Sequence, residues 1–360
     1  MVEAIDLALT RCLLRARLCK YLRGLEPALR EDVSAALGSK GKLLHTPSLE
    51  LDGRWALAPF CLAYDLSAGR AGVGIDALCD VSLALECVIS ATDLLDDVMD
   101  DDMTPLIERL GIGRVLNAAL ALISLSQRLL IALLDQDLPV LLSVRLMDMV
   151  QNAIMQASTG QQQDLLAERR PACDLTREEC LEIAAAKAGA LLSLACQMGA
   201  LCAGLEEAGV ARCVEVGRLL GIAAQLDNDA HDLAGLLQTR TANQRRAEGS
   251  QKSDLARGKK TLPVVLAAHA LQTSNTRDAR EIDFRHLDLL LEGERASYSA
   301  ALREGILTTW GLALLYRERA GELLRELLGE RPVSLELCRV LGLDDVLVEK
   351  EVRILPGDEF

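Results

Sequence analysis

Aromatic residues are scarce in this chain of 360 residues: Phe, Tyr and Trp make up only 2% of it, although 50% is hydrophobic. Its core must therefore consist mostly of Leu, Ala, Val and Ile, which at helical spacing favour packed helices over a sheet. Positive charge is also short, since 39 Lys and Arg face 53 Asp and Glu and leave a net charge of −14. This balance argues against nucleic-acid binding, which needs a basic surface.

Several other features that would define a different class of protein are missing. The eleven cysteines form no CxxC pair, which favours reduced core thiols in a cytoplasmic protein over zinc ligands or disulfides. No signal peptide is apparent. Polar residues interrupt the most apolar runs, 118–134 and 183–204, so we expect buried helices and no transmembrane segment.

The pattern along the chain is helical throughout, without repeats, long strand signatures or a Pro/Ser-rich linker. Thr176 and Glu179 stand at the spacing of a capping box, which predicts a helix start. We expect an all-α bundle of roughly ten or more helices. Residues 1–50 would supply N-terminal helices and a loop, continuous with a single helical domain over 51–360.

The most distinctive segment is acidic. Six of the ten residues from Asp93 to Asp102 are Asp, and they follow a long apolar run. On a helix, Asp96 and Asp97 each lie about one turn from Asp100, where like charges repel one another. A cation would relieve that repulsion, and carboxylate oxygens suit Mg²⁺. A solvated acidic helix end is the alternative for this segment taken alone.

A second polar cluster makes the metal site the stronger interpretation. Gln225, Asp229 and Asp232 recur at i, i+4 and i+7, and Asn228 faces the same way. Two such helices could face each other across a cavity and hold Mg²⁺ ions that keep coordination sites open for a diphosphate.

These paired motifs resemble those of the trans-isoprenyl diphosphate synthase (polyprenyl synthetase) superfamily. Its DDxxD pattern is matched at Asp96, Asp97 and Asp100, and its downstream counterpart at Asn228, Asp229 and Asp232. Three further matches follow the same order and spacing: 160–165 to GQxxDL, Lys187 to a diphosphate-binding lysine, and 254–263 to DLxxGKxTLP. The similarity runs from about residue 53 to residue 270. One motif would be weak, whereas five in order are specific.

The resemblance implies helices around a central apolar cavity, several Mg²⁺ ions, and a homodimer. In that family an allylic prenyl diphosphate ionises, and the double bond of isopentenyl diphosphate attacks the cation. The implied metal ligands are the six residues of the two motifs, Asp96, Asp97, Asp100, Asn228, Asp229 and Asp232. The implied catalytic residues are Asp96, Asp97, Asp100, Lys187 and Gln225. The implied substrate-binding residues are Arg54, Gln161, Asp164, Lys187, Lys259, Ala91 and Thr92. In that family, bulky residues at the last two positions close the pocket for the growing chain. Ala91 and Thr92 are small, so a farnesyl or longer chain should fit.

The sequence also departs from the elongating members, chiefly where isopentenyl diphosphate would bind. Of the expected Lys-Arg pair and further Arg, only Arg54 remains, and two arginines are missing after the first Asp motif. Asn228 and Ala224 replace the usual Asp and Phe. The acceptor thus stays open. It could be isopentenyl diphosphate or a peptide, since 252–263 and the Asn-Asp motif resemble bacterial pheromone-peptide prenyltransferases. Two other hypotheses are cyclisation of the cation and a weakened partner subunit of an active synthase.

Overall fold

The chain is almost entirely helical in the computed structural model, which describes residues 5–47, 49, 52–67, 72–136, 138–238, 258–273, 284 and 292–347. Those ranges contain thirteen α-helices and no strand, which confirms the predicted all-α class. The helices are α1 (Leu7–Leu22), α2 (Pro27–Leu37), α3 (Arg54–Ser67), α4 (Ile75–Met99), α5 (Pro105–Leu110), α6 (Ile112–Ile131), α7 (Val140–Ala167), α8 (Arg177–Ala184), α9 (Ala190–Cys202), α10 (Glu207–Gln238), α11 (Leu262–Thr273), α12 (Glu292–Leu328) and α13 (Leu335–Leu341).

Local sequence signals set the ends of several helices. Asp6 caps α1, because its carboxylate accepts a hydrogen bond from the backbone N–H of Leu9 at 3.0 Å. The predicted capping box at α8 is confirmed. The N–H of Glu179 donates to Thr176 Oγ1 (3.1 Å), and the N–H of Thr176 donates to Glu179 Oε2 (2.8 Å).

The first of two compact units comprises residues 1–155, 191–217 and 319–360. Within it, α4 packs mainly against α6 and α3, and every residue from Ala77 to Ala91 is buried. The fully enclosed Asp80 carboxylate accepts hydrogen bonds from Arg17 Nε (2.5 Å), Arg17 Nη2 (2.7 Å) and Gln136 Nε2 (2.7 Å). This buried charge is therefore compensated, and the pair ties α1 to α4.

The second compact unit comprises residues 156–190 and 218–318. One of its apolar clusters includes Leu226 of α10, Leu262 and Val265 of α11, and Ala313 of α12. A second cluster contains Leu302 and Phe284 among its members. Together they fix α10 and α11, which carry candidate site residues. The prediction of one continuous domain, with 1–50 joined to 51–360, stays a prediction.

Two local features were not predicted. Helix α4 ends at Met99, where Asp100 is the C-cap and Asp101 has a positive φ of 54°. Aspartate tolerates that left-handed conformation better than most residues. Between α8 and α9, Ala185–Gly189 form one turn of π-helix, which we call the π-turn. Such turns are rare and frequently occur at functional sites.

All eleven cysteines are free thiols; eight are buried, whereas Cys12 and Cys19 are exposed and Cys173 is partly buried. Ile112–Asp135 and Arg177–Cys202 are long and apolar enough to cross a membrane by length and composition alone. Burial of 44% and 56% of their most apolar windows is also what core helices of a soluble protein show. These two helices are weak evidence for a membrane span.

Candidate functional site

In the first unit, the C-terminal end of α4 brings the residues of the first Asp motif together. Asp96 and Asp97 are partly buried and Asp100 is 7% exposed. The pKa of Asp97 is raised to about 6, first by burial and then by the negative charges of Asp93, Asp102, Asp96 and Asp100. The cluster thus carries more negative charge than its surroundings compensate, as a cation site would.

One cation near this cluster was missed by the sequence reasoning. Lys42 lies in the loop after α2, is 7% exposed, and forms an ion pair with Asp93. Burial lowers the pKa of Lys42, but the charges of Asp93 and Glu86 outweigh burial and raise it. The loop has no periodicity that would distinguish Lys42 from Lys40, so only the fold reveals this contact.

In the second unit, a small pocket collects the residues of four predicted motifs. Asp164 from α7, Lys187 from the π-turn, Gln225 and Asp229 from α10, and Lys259 line it, with a cavity volume of about 30 Å³. Lys187 Nζ donates to Asp164 Oδ2 at 2.8 Å. Gln225 Nε2 donates to Asp229 Oδ1 at 2.9 Å.

The lining of this pocket holds more positive than negative charge. Lys187, Lys259 and Lys260 contribute three ammonium groups, against the carboxylates of Asp164 and Asp229. Compact ammonium groups bind phosphates as point charges, so the pocket suits an anion. Cys180 also lines it, but burial, together with Asp229, raises the pKa of its thiol to about 12. The thiol therefore stays protonated and is a poor nucleophile.

The face of α10 opposite to Gln225 and Asp229 is held by α12. Arg317 forms an ion pair with Asp227. His231 donates a hydrogen bond from Nδ1 to the carbonyl oxygen of Asp227 at 2.8 Å, and its ring lies edge-on to Trp310 at 5.3 Å. His231 is thus a structural residue, and α12 fixes the helix that carries the second motif.

The other predicted residues occupy different surroundings. Asn228 and Asp232 are exposed on α10, and Gln161 is buried outside the pocket lining that the described residues form. Arg54 donates through Nε (3.0 Å) and Nη2 (2.8 Å) to the carbonyl oxygen of Val340, near the end of α13. Residues 254–257 of the DLxxGKxTLP match lie outside the described residues.

The small residues predicted to admit a long chain lie on α4. Ala91 is fully buried. The Thr92 hydroxyl donates to the carbonyl oxygens of Val88 (3.1 Å) and Ile89 (3.0 Å) of its own helix. Its polar group is therefore satisfied within α4, and a neighbouring hydrocarbon chain would leave no unpaired hydroxyl.

The acidic residues of the two motifs fit a Mg²⁺ site in which substrate oxygens complete the coordination shell. Among the described residues, no three His, Cys, Asp or Glu side chains converge into a complete site. Mg²⁺ commonly takes only one or two carboxylates and completes its shell with water and phosphate oxygens. Burial is the main cause of the raised pKa of Asp97, and repulsion from the neighbouring carboxylates adds to it; that repulsion is the electrostatic reason for a cation there.

Comparison with known proteins agrees with these observations. The sequence model of the polyprenyl synthetase family matches residues 59–285. The chain is 32% identical over 253 residues to a geranylgeranyl diphosphate synthase of Mycobacterium tuberculosis, covering 68% of this chain and 63% of that protein. A farnesyl diphosphate synthase of the same species is 30% identical over 208 residues, 56% of this chain and 53% of the relative. The matched region thus spans less than two thirds of either relative.

Solved structures show the same fold over nearly the whole chain. A heptaprenyl diphosphate synthase from Staphylococcus aureus has a TM-score of 0.70 at 18% identity, covering 95% of this chain and 99% of that one. A polyprenyl synthetase from Streptomyces coelicolor A3(2) has a TM-score of 0.65 at 25% identity, covering 94% and 98%.

Proposed function

Because the chain belongs to the polyprenyl synthetase family, we propose that it is a Mg²⁺-dependent prenyltransferase. It ionises an allylic prenyl diphosphate of farnesyl size or longer and extends it with isopentenyl diphosphate, as in geranylgeranyl or polyprenyl diphosphate synthesis. The observation that carries this proposal is the lysine-rich pocket of the second unit, where Lys187, Lys259 and Gln225 surround a space suited to an anion.

Ionisation separates an allylic cation from a diphosphate, whose negative charge must be stabilised as it develops. Lys187 and Lys259 would bind the departing diphosphate, and Gln225 would hold Asp229 in place through their hydrogen bond. Asp164 orients Lys187 through the 2.8 Å contact.

Asp96, Asp97, Asp100, Asn228, Asp229 and Asp232 are the residues that would hold Mg²⁺. Bound there, the ions neutralise charge on the diphosphate and so make it a better leaving group. The carboxylates of the first motif favour this binding, since their own repulsion falls when a cation is present.

A contact of Arg54 favours an alternative to isopentenyl diphosphate as the acceptor. Arg54 is the remaining basic residue of the loop expected to bind isopentenyl diphosphate, and its guanidinium is hydrogen-bonded to the Val340 carbonyl. A weakened second diphosphate site would suit transfer to a peptide acceptor or cyclisation of the cation. A non-catalytic partner subunit is less well supported, because both polar motifs are retained.

We also propose a cytoplasmic homodimer. Helix α6 exposes Ile112, Leu116 and Leu120 at helical spacing, and α7 of the same unit exposes Leu141 and Val144. Apolar surface of this kind commonly marks an interface. Light scattering on the wild type should give the mass of two chains, whereas Leu120→Glu should give one. A monomeric wild type would contradict this proposal.

The function is tested by incubating the pure protein with Mg²⁺ and radiolabelled farnesyl diphosphate, with and without isopentenyl diphosphate. Elongation predicts a longer product only when both substrates are present. A product from farnesyl diphosphate alone would indicate cyclisation or hydrolysis, and labelling of an added peptide would identify the other acceptor. If no condition gave turnover above that of Asp96→Ala, the enzymatic proposal would be wrong.

A further inference from the structure

Two glycines on different helices make unusually close contacts with the π-turn Ala185–Gly189 that carries Lys187. A Cβ atom on Gly160 of α7 would lie 2.8 Å from Ala186 Cβ, 2.8 Å from the backbone nitrogen of Lys187 and 2.9 Å from the Ala186 carbonyl carbon. Real side chains do not approach so closely, so α7 can reach this turn only where it has no side chain.

The second contact comes from α10 and is tighter. A Cβ atom on Gly221 would lie 2.4 Å from the carbonyl oxygen of Ala188, 2.4 Å from Gly189 Cα and 2.5 Å from Gly189 N. All these atoms belong to backbone, which cannot rotate away as a flexible side chain could. Glycine is among the least favourable residues in a helix interior, so its presence at both contacts has a packing reason.

Each glycine lies one helical turn before a residue that lines the lysine-rich pocket. Gly160 precedes Asp164 by four positions, and Gly221 precedes Gln225 by four, so each pair shares one face of its helix. Lys187, whose backbone nitrogen faces Gly160, reaches Asp164 Oδ2 at 2.8 Å. The close contacts of Gly160 and Gly221 with the π-turn therefore set the distances from Lys187 to Asp164 and Gln225 across the pocket.

We infer that Gly160 and Gly221 are positioning residues of the diphosphate site: their close contacts with the π-turn hold Lys187 against Asp164 and beside Gln225. This inference rests on the proposed function, because it assigns a diphosphate to the pocket. Binding groups of this kind lose effect when they are displaced by as little as about 1 Å. An added methyl group at either glycine forces such a displacement, since backbone atoms occupy the space.

The test is calorimetric titration of the folded, full-length protein with inorganic pyrophosphate in the presence of Mg²⁺. Gly160→Ala and Gly221→Ala should each weaken binding by about tenfold or more, because a displaced ammonium group loses a charge-assisted hydrogen bond to the phosphate. The control is Gly311→Ala on α12, where a Cβ atom meets no atom within 4 Å. It should bind as tightly as the wild type.

A coupling measurement separates positioning from general destabilisation. If Gly160 acts through Lys187, then Gly160→Ala should add no further loss of pyrophosphate affinity in a Lys187→Met background. An equal loss in both backgrounds would overturn the inference, as would wild-type affinity in Gly160→Ala. If Gly160→Ala fails to fold, Gly160→Ala/Ala186→Gly replaces it, because that pair removes the Ala186 Cβ contact but keeps the contact with Lys187 N. It should still bind more weakly than the wild type, and wild-type affinity would overturn the inference.

The wild-type titration reports on the proposed function separately. A wild type that binds no pyrophosphate would contradict the diphosphate site, and with it this inference. A wild type that binds, next to glycine variants that bind equally well, would overturn the positioning role alone.

Discussion

Burial, and then the charges of Asp93, Asp96 and Asp100 at the same helix end, raise the pKa of the Asp97 carboxyl group to about 6 from an ordinary 3.8. A folded-state pKa above the unfolded value means that the folded protein binds more protons in this window. The ionised carboxylate therefore lowers the stability of the fold. This cost is present in full above about pH 6 and disappears as the pH falls towards 3.8.

Asp97→Asn should raise the free energy of unfolding of the metal-free protein at neutral pH by about 1 kcal/mol, because each like-charged neighbour costs a few tenths. Urea unfolding in EDTA measures this difference. The gain should vanish below about pH 3, where wild-type Asp97 is protonated in both states. The exposed Asp135→Asn should change stability little. A loss of stability in Asp97→Asn would contradict the charge repulsion described above.

Lys42 supplies a positive charge beside these carboxylates, because it forms an ion pair with Asp93. It is nearly enclosed, and the fully buried Glu86 lies close enough to raise its pKa. Lys42→Met leaves the buried carboxylate without its counter-charge and should cost about 3 kcal/mol. Adding Glu86→Gln should recover much of that loss, as urea unfolding of the double variant would show. The exposed Lys20→Met is the control; an equal cost there would mean that Lys42 has no special role.

Sequence reasoning found Gln225 and Asp229 through their helical spacing, and Asp164 and Lys187 through the resemblance to the family. Asp164, Lys187, Gln225 and Asp229 were predicted from motifs and do line one pocket. Lys42 and Glu86 could not be found this way, because a loop residue and a helix residue 44 positions later meet only through tertiary packing. Arg54 was recognisable as a basic residue, yet its partner at Val340 was not.

At the level of the helix, α10 carries Gln225 and Asp229 on one face while α12 holds the opposite face. Arg317→Met would remove the partly buried ion pair with Asp227 and leave that carboxylate less compensated. We expect a loss of about 1–2 kcal/mol, together with weaker binding of pyrophosphate because α10 is less firmly held. Arg319→Met, which breaks an exposed pair with Glu322, should cost under about 0.5 kcal/mol. Equal effects of the two variants would contradict a supporting role for α12.

Helix ends and irregular turns show where sequence reasoning reaches its limit. The capping box at α8 was predictable, since Thr176 and Glu179 satisfy backbone groups within one turn. The π-turn at Ala185–Gly189 was not, because it lies in a run of small residues compatible with an ordinary helix. Close contacts with Gly160 and Gly221 distinguish this turn, and they join segments far apart in the chain.

At the scale of the whole molecule, the net charge of −14 favours cation binding. Since the same charge repels free pyrophosphate, pyrophosphate should bind together with Mg²⁺. The two together should raise the melting temperature, and EDTA should abolish the rise. Ligand at about 100 times its dissociation constant contributes about 2.7 kcal/mol. Differential scanning calorimetry checks this. Pyrophosphate that stabilised the protein equally in EDTA would exclude a role for the metal.

The central claim is that Lys187 and the two polar motifs ionise an allylic diphosphate, and pyrophosphate release tests it most directly. Its rate should be measured from farnesyl diphosphate with Mg²⁺ and isopentenyl diphosphate, for the wild type, Lys187→Met, Asp96→Asn and Asp229→Asn. Each substitution should lower the rate by about 10²-fold or more, because charge stabilisation in the transition state is lost. Lys20→Met should leave it unchanged. Release at the wild-type rate by Lys187→Met and both Asp variants would contradict the account.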